Sequence, residues 1–144
     1  MLEENKRLLK DALKLLRIHD VSESNLEKFL EKKGYEKTEI RETIKYLKEK
    51  NLVDDAKVAS LLVEKSIRQK RGINYARSIL ASKGIPESVI SITLARMYPE
   101  ILEYKIAKEL LFSSKKNVRK AIYWLASRGF SDETIEKLRE ENQL

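Results

Sequence analysis

The chain contains no cysteine, and His19 is its only histidine. The first absence excludes a disulfide framework, thiolate zinc sites and thiol chemistry, and it suits a reducing compartment. The second excludes a histidine metal cluster. Proline occurs twice, glycine four times and tryptophan once. No apolar run approaches the roughly 20 residues of a membrane-spanning helix. The opening MLEENKRLLK is charged and lacks the apolar core of a secretory signal, so a soluble, cytoplasmic protein is expected. Neither a GxGxxG nor a GxxxxGK[ST] phosphate loop occurs. His19-Asp20 is the one histidine–carboxylate neighbour, and adjacent residues at a helix end do not face one substrate. Asp54-Asp55 reads as a helix start, with Asp54 as the N-cap before AKVASLLVEK, rather than as a metal pair. The residues assemble no catalytic set, no metal site and no cofactor site.

What remains is a chain of 144 residues, 42% hydrophobic and 37% charged. That apolar content can form a core, and the high charge implies a large solvated surface. Apolar residues recur at intervals of three and four: Leu9, Leu13 and Leu16; Leu26, Phe29 and Leu30; Ile40, Ile44 and Leu47. This is the period of amphipathic helices, too short to stand alone, so the expected fold is all-α.

Three segments repeat one pattern: FLEKKGYEKTEI at 29–40, ILASKGIPESVI at 79–90 and WLASRGFSDETI at 124–135. Each places a leucine before a basic residue, then Gly34, Gly84 or Gly129, an apolar residue and an isoleucine. The glycines lie 50 and 45 residues apart. Glycine closing a helix in the left-handed conformation, with an apolar residue folding back, explains the pattern. Pro86 and Ser131 then favour the start of the next helix. A further helix precedes each hairpin, at roughly 6–18, 55–70 and 100–112. The chain therefore reads as three tandem three-helix units, 1–53, 54–98 and 99–144, packed in series as an elongated, curved array whose neighbours share a core.

Lysine plus arginine total 30 against 23 acids, a formal charge of +7, which favours an acidic partner. Residues 54–98 are the most basic unit, with 8 basic and 4 acidic groups. Lys65, Arg68, Lys70, Arg71, Arg77 and Lys83 follow one another without an intervening acid. Lys105, Lys108, Lys115, Lys116, Arg119, Lys120 and Arg128 are interrupted only by Glu109. Such one-signed fields steer a polyanion. Arg71 before Gly72, and Lys115-Lys116 at a helix entrance, stand where a chain can approach closely. Lys65, Arg68, Lys70, Arg71, Arg77, Lys83, Lys115, Lys116, Arg119, Lys120 and Arg128 are the binding candidates. Tyr75 and Tyr123 could stack on bases but are expected in core or boundary packing, and Trp124, in the apolar stripe of the third unit, is expected in the core.

The stretch VDDAKVASLLVEKSIRQKRGINYARSILASKGI at 53–85 resembles the central segment of the RecX family of recombinase regulators. Asp54 or Asp55, Ala59, Gly72, Leu80, Lys83, Gly84 and Ile85 fall at matching positions. VSESNLEKFLEKKGY and KAIYWLASRGFSDETI resemble the family's flanking units. Val58 and Leu62 replace aromatics, and Tyr75-Ala76 stands where the family has Arg-Ile. The resemblance covers about residues 8–138. It implies a monomeric, non-enzymatic modulator that binds the RecA–DNA filament, lies along its groove and lowers ATP hydrolysis and strand exchange. DNA contact would then be weak or indirect and largely non-specific. Two other readings fit the residues: a basic helix-turn-helix DNA-binding regulator, and a helical-repeat scaffold for protein interactions.

Overall fold

A computed structural model describes residues 2–144, with side chains from residue 5 onward. The described residues form nine α-helices and no strand: α1 (Leu2–Ile18), α2 (Glu23–Lys32), α3 (Lys37–Glu49), α4 (Asp55–Arg68), α5 (Ile73–Ser82), α6 (Glu87–Met97), α7 (Glu100–Ser113), α8 (Val118–Ser127) and α9 (Asp132–Glu141). None of them is long and apolar enough to cross a membrane.

The helix ends follow from local chemistry. Ser22, Asp54, Asn117 and Ser131 each accept a hydrogen bond from the backbone amide three residues on, which caps α2, α4, α8 and α9. Helices α2, α5 and α8 are each ten residues long and end alike. Gly34, Gly84 and Gly129 follow at φ of 93°, 78° and 90°. The next amide, of Tyr35, Ile85 or Phe130, reaches back to the carbonyl of Leu30, Leu80 or Leu125. These are Schellman turns. The three leucines and both following apolar residues Ile85 and Phe130 are buried. Truncating any of the leucines to alanine should cost about 2–5 kcal/mol.

Helix α1 packs on α2 and α3, α4 on α5 and α6, and α7 on α8 and α9. The buried apolar residues form two cores. One lies among α1–α3 and includes Leu8, Leu26, Leu30, Ile40 and Leu47. The other runs without a break through α4–α9, from Val58 and Leu80 to Leu125, Phe130 and Leu138. The expectation of a core shared by neighbours therefore holds for α4–α9, whereas α1–α3 keep their own.

Two joints link these groups, and they are built alike. At the first, Ser22 Oγ donates to the carbonyl of Lys83, and the amide of Glu23 donates to Asp55 Oδ1 at 2.8 Å. Burial raises the Asp55 carboxyl above its ordinary pKa, the Glu23 amide opposing and the Glu23 charge adding to the rise. At the second, the amide of Gly72 donates to the carbonyl of Arg128 at 3.1 Å, and the amide of Ile73 donates to Glu103 Oε2 at 2.8 Å. In both, the start of a middle helix meets the closing turn of the following middle helix, and a carboxylate from the intervening chain binds the next amide.

Candidate basic interface

The second joint gathers the basic candidates. Arg128 closes α8 and sends its guanidinium to the carbonyls of Gln69, at 2.8 Å, and Lys70, at 3.2 Å. Burial, and then the neighbouring charge of Arg71, lower its pKa below the ordinary value. Arg71 lies over the ring of Tyr75, 4.7 Å from the centroid. At the two ends of α8, Lys116 and Arg128 both approach the ring of Trp124, at 5.1 and 5.0 Å. Each such contact contributes about 0.5–1 kcal/mol when exposed and holds the cation in place. Lys70, Arg71 and Tyr75 thus meet Lys116, Trp124 and Arg128 across one seam, a basic patch backed by two aromatic rings. Gly72 does admit a close chain, and that chain is the protein's own Gly129-Phe130.

The seam rests on buried polar groups. Glu103 is 0% exposed and accepts from the amides of Ile73 and Ser131 and from the hydroxyls of Ser131 and Thr134. Tyr98, also buried, donates its hydroxyl to the carbonyl of Arg71 at 2.6 Å. Burial, reinforced by the Glu103 charge, pushes the Tyr98 phenol far above its usual pKa, so it stays protonated as a donor.

The other candidates fall elsewhere. Lys115, Arg119 and Lys120 are exposed around the start of α8, and none pairs with an acid among the described residues. Lys65, Arg68 and Lys83 border a groove between α1–α2 and α4. Arg68 makes one exposed ion pair, with Glu64 at 3.9 Å. Arg77 is not a free cation, because it is hydrogen-bonded to Glu87. Ser91 and then Arg77 hold that carboxyl below its ordinary pKa.

Two expectations for aromatic residues need correction. Tyr123 is 75% exposed rather than packed. Trp124 is half-buried at the edge of the core and serves as the platform for two cations. Position decides this: Tyr123 falls off the buried face of α8, and Arg128 stands one turn after Trp124, where i and i+4 side chains meet. Glu103 carries no signal in the sequence, since a glutamate in the first turn of a helix is ordinary.

Fold and surface together define an all-helical protein that presents an aromatic-backed basic face. No family model matches the chain. It is 32% identical over 133 residues to regulatory protein RecX of Chlorobaculum tepidum, covering 88% of this chain and 82% of that protein. It is 30% identical over 130 residues to regulatory protein RecX of Vibrio parahaemolyticus, covering 86% of this chain and 84% of the relative. The crystal structure of RecX from Lactobacillus salivarius superposes with a TM-score of 0.85 at 21% identity, covering 98% of this chain and 97% of that one. A second RecX crystal structure gives 0.76 at 23% identity, covering 94% and 71%. The chain belongs to the RecX family of regulatory proteins.

Proposed function

We propose that this protein binds the RecA–DNA filament and lowers its ATP hydrolysis and strand exchange, acting in the cytoplasm as a monomer without catalysis of its own. The observation that carries the reading is the seam that unites Lys70, Arg71, Lys116 and Arg128 over Tyr75 and Trp124. Cations held in place on rings lose less freedom on meeting phosphates or carboxylates than free side chains do. Lys115, Arg119 and Lys120 extend the positive field beside it. The units 1–53, 54–98 and 99–144, in series, would form a curved rod long enough to touch more than one protomer of a filament. Phosphate contact would be sequence-independent and salt-sensitive. DNA is then a weak, non-specific partner and RecA the specific one.

The test is ATP hydrolysis by RecA on single-stranded DNA, with the parent protein and with Lys115, Lys116, Arg119 and Lys120 all changed to Glu. The parent should slow hydrolysis and strand exchange, and the variant should not. Across a salt series, loss of binding to both naked DNA and filament assigns these residues to phosphate, and loss of filament binding alone assigns them to RecA. No effect of the parent at saturation would sink the reading.

A further inference from the structure

The two joints are built alike but do not close alike. A 45-residue offset relates α4 to α7, as it relates Gly84 to Gly129. It brings Leu61, Leu62 and Lys65 onto Ile106, Ala107 and Leu110. At the second joint these α7 residues belong to the continuous core or pack against it, and Ile106 is only 8% exposed. At the first joint the α4 residues line an open groove of about 600 Å³, and Leu61 is 41% exposed. Phe29 and Val58 complete its apolar wall, while Lys65, Arg68 and Lys83 stand at its rim. Among the described residues, Asp20 is the only acid that lines it. Lys65 and Lys83 have no ion pair among the described residues.

We propose that this groove receives an acidic segment of a protein partner, with a large apolar side chain seated on Phe29 and Leu61 and flanking carboxylates held by Lys65, Arg68 and Lys83. Apolar wall left in water favours an apolar occupant, because covering it removes that surface from water. A rim of one sign selects acidic flanks and rejects basic ones. Single-stranded nucleic acid suits the groove less well. Its wall is mostly aliphatic and offers a single phenyl ring, Phe29, whereas single strands are held by several stacking rings. In naming a segment of RecA as the occupant, the inference rests on the filament reading above. The chemistry of the groove does not depend on it.

Leu61→Glu places a like charge where the carboxylates would lie, on an exposed position that folding tolerates. A fluorescein-labelled amphipathic peptide of leucine and glutamate is the first probe. The parent should bind it, Leu61→Glu should weaken it by about tenfold or more, and binding to naked single-stranded DNA should not change. Absence of peptide binding, or equal binding by parent and variant, overturns the groove. Peptide binding lost in the variant, with no binding of the parent to RecA filaments, keeps the groove and removes the filament reading. Because the chain has no cysteine, Leu61→Cys adds a unique thiol for a benzophenone label. Irradiated on RecA filaments, it should crosslink to an acidic RecA segment. A crosslink to DNA, or to a second copy of this chain, overturns the proposal.

Discussion

Gly72 and Gly129 meet backbone to backbone. A Cβ built on Gly72 would lie 2.2 Å from the carbonyl carbon of Gly129, although the φ of Gly72 is an ordinary −80°. Gly72 is therefore glycine for space. Gly129 is glycine for both reasons: its φ is positive, and a Cβ there would lie 2.6 Å from the amide nitrogen of Tyr75. Gly34 has the same turn geometry with nothing within 4 Å.

This contrast gives an ordered stability prediction. Gly34→Ala should cost about 1–2 kcal/mol, the strain of a left-handed residue alone. Gly72→Ala, with no such strain, should cost about 1–3 kcal/mol by prising the seam apart. Gly129→Ala combines the two and should cost the most. Urea unfolding of the three variants checks the order, and a Gly129→Ala protein as stable as Gly34→Ala would contradict it.

Lys70 is the reverse case. It closes α4 in the left-handed conformation, at φ 56°, without being glycine. Its amide reaches the carbonyl of Ile67, and the next amide reaches Ser66, as in the glycine turns. Lys70→Gly should stabilise the fold by about 1 kcal/mol while weakening polyanion binding. A thermal melt beside a DNA-binding titration separates the two effects.

Glu103 satisfies four donors from α5, Ser131 and Thr134 while wholly buried. Glu103→Ala would orphan them and should cost about 3 kcal/mol or more. Glu103→Gln keeps the shape and one acceptor, and should cost about half as much. If calorimetry finds the alanine variant as stable as the parent, the carboxylate does not hold the seam.

The tether of α9 to α7 should loosen in acid. Tyr104 and then Lys108 hydrogen-bond Glu141 and hold its carboxyl below the usual value of 4.5. A depressed carboxyl stabilises the fold above its unfolded pKa, and that stability disappears as pH falls through the folded value. Protection factors of the α9 amides, corrected for the intrinsic pH dependence of exchange, should therefore fall below about pH 4.5. Tyr104→Phe should flatten this dependence, and Glu141→Gln should abolish it.

Trp124 is the single tryptophan and carries two cations of the seam. A polyanion that draws Lys116 and Arg128 off the ring should change its fluorescence. The change should saturate with added single-stranded DNA, reverse with salt, and be reduced by Lys116→Glu. A DNA titration that binds without altering the emission would place the contact elsewhere.

The three Schellman turns, the Asp54 and Ser131 caps and the helix spans near 6–18, 55–70 and 100–112 were legible in the chain, because caps and helical periodicity are local. So was the uneven distribution of charge. Which cations share a surface was not legible. Arg77 and Arg128 look equally free in sequence, yet one is bound by Glu87 and the other by carbonyls from 58 and 59 residues away. The same limit applies to Trp124, whose apolar neighbours suggest a core position and whose ring edge serves cations.

By itself, then, the sequence determined an all-α chain with repeated helix–glycine–helix hairpins and a basic middle, since each of these depends on residues within a few turns of one another. Only the tertiary structure decided that Gly72 exists to admit Gly129, that Glu103 binds the second joint, and that Leu61 remains open to water while Ile106 is closed. Those outcomes depend on how one group of helices seats against the next. Packing and desolvation at such joints join residues roughly 30 to 60 positions apart, and no local periodicity records them.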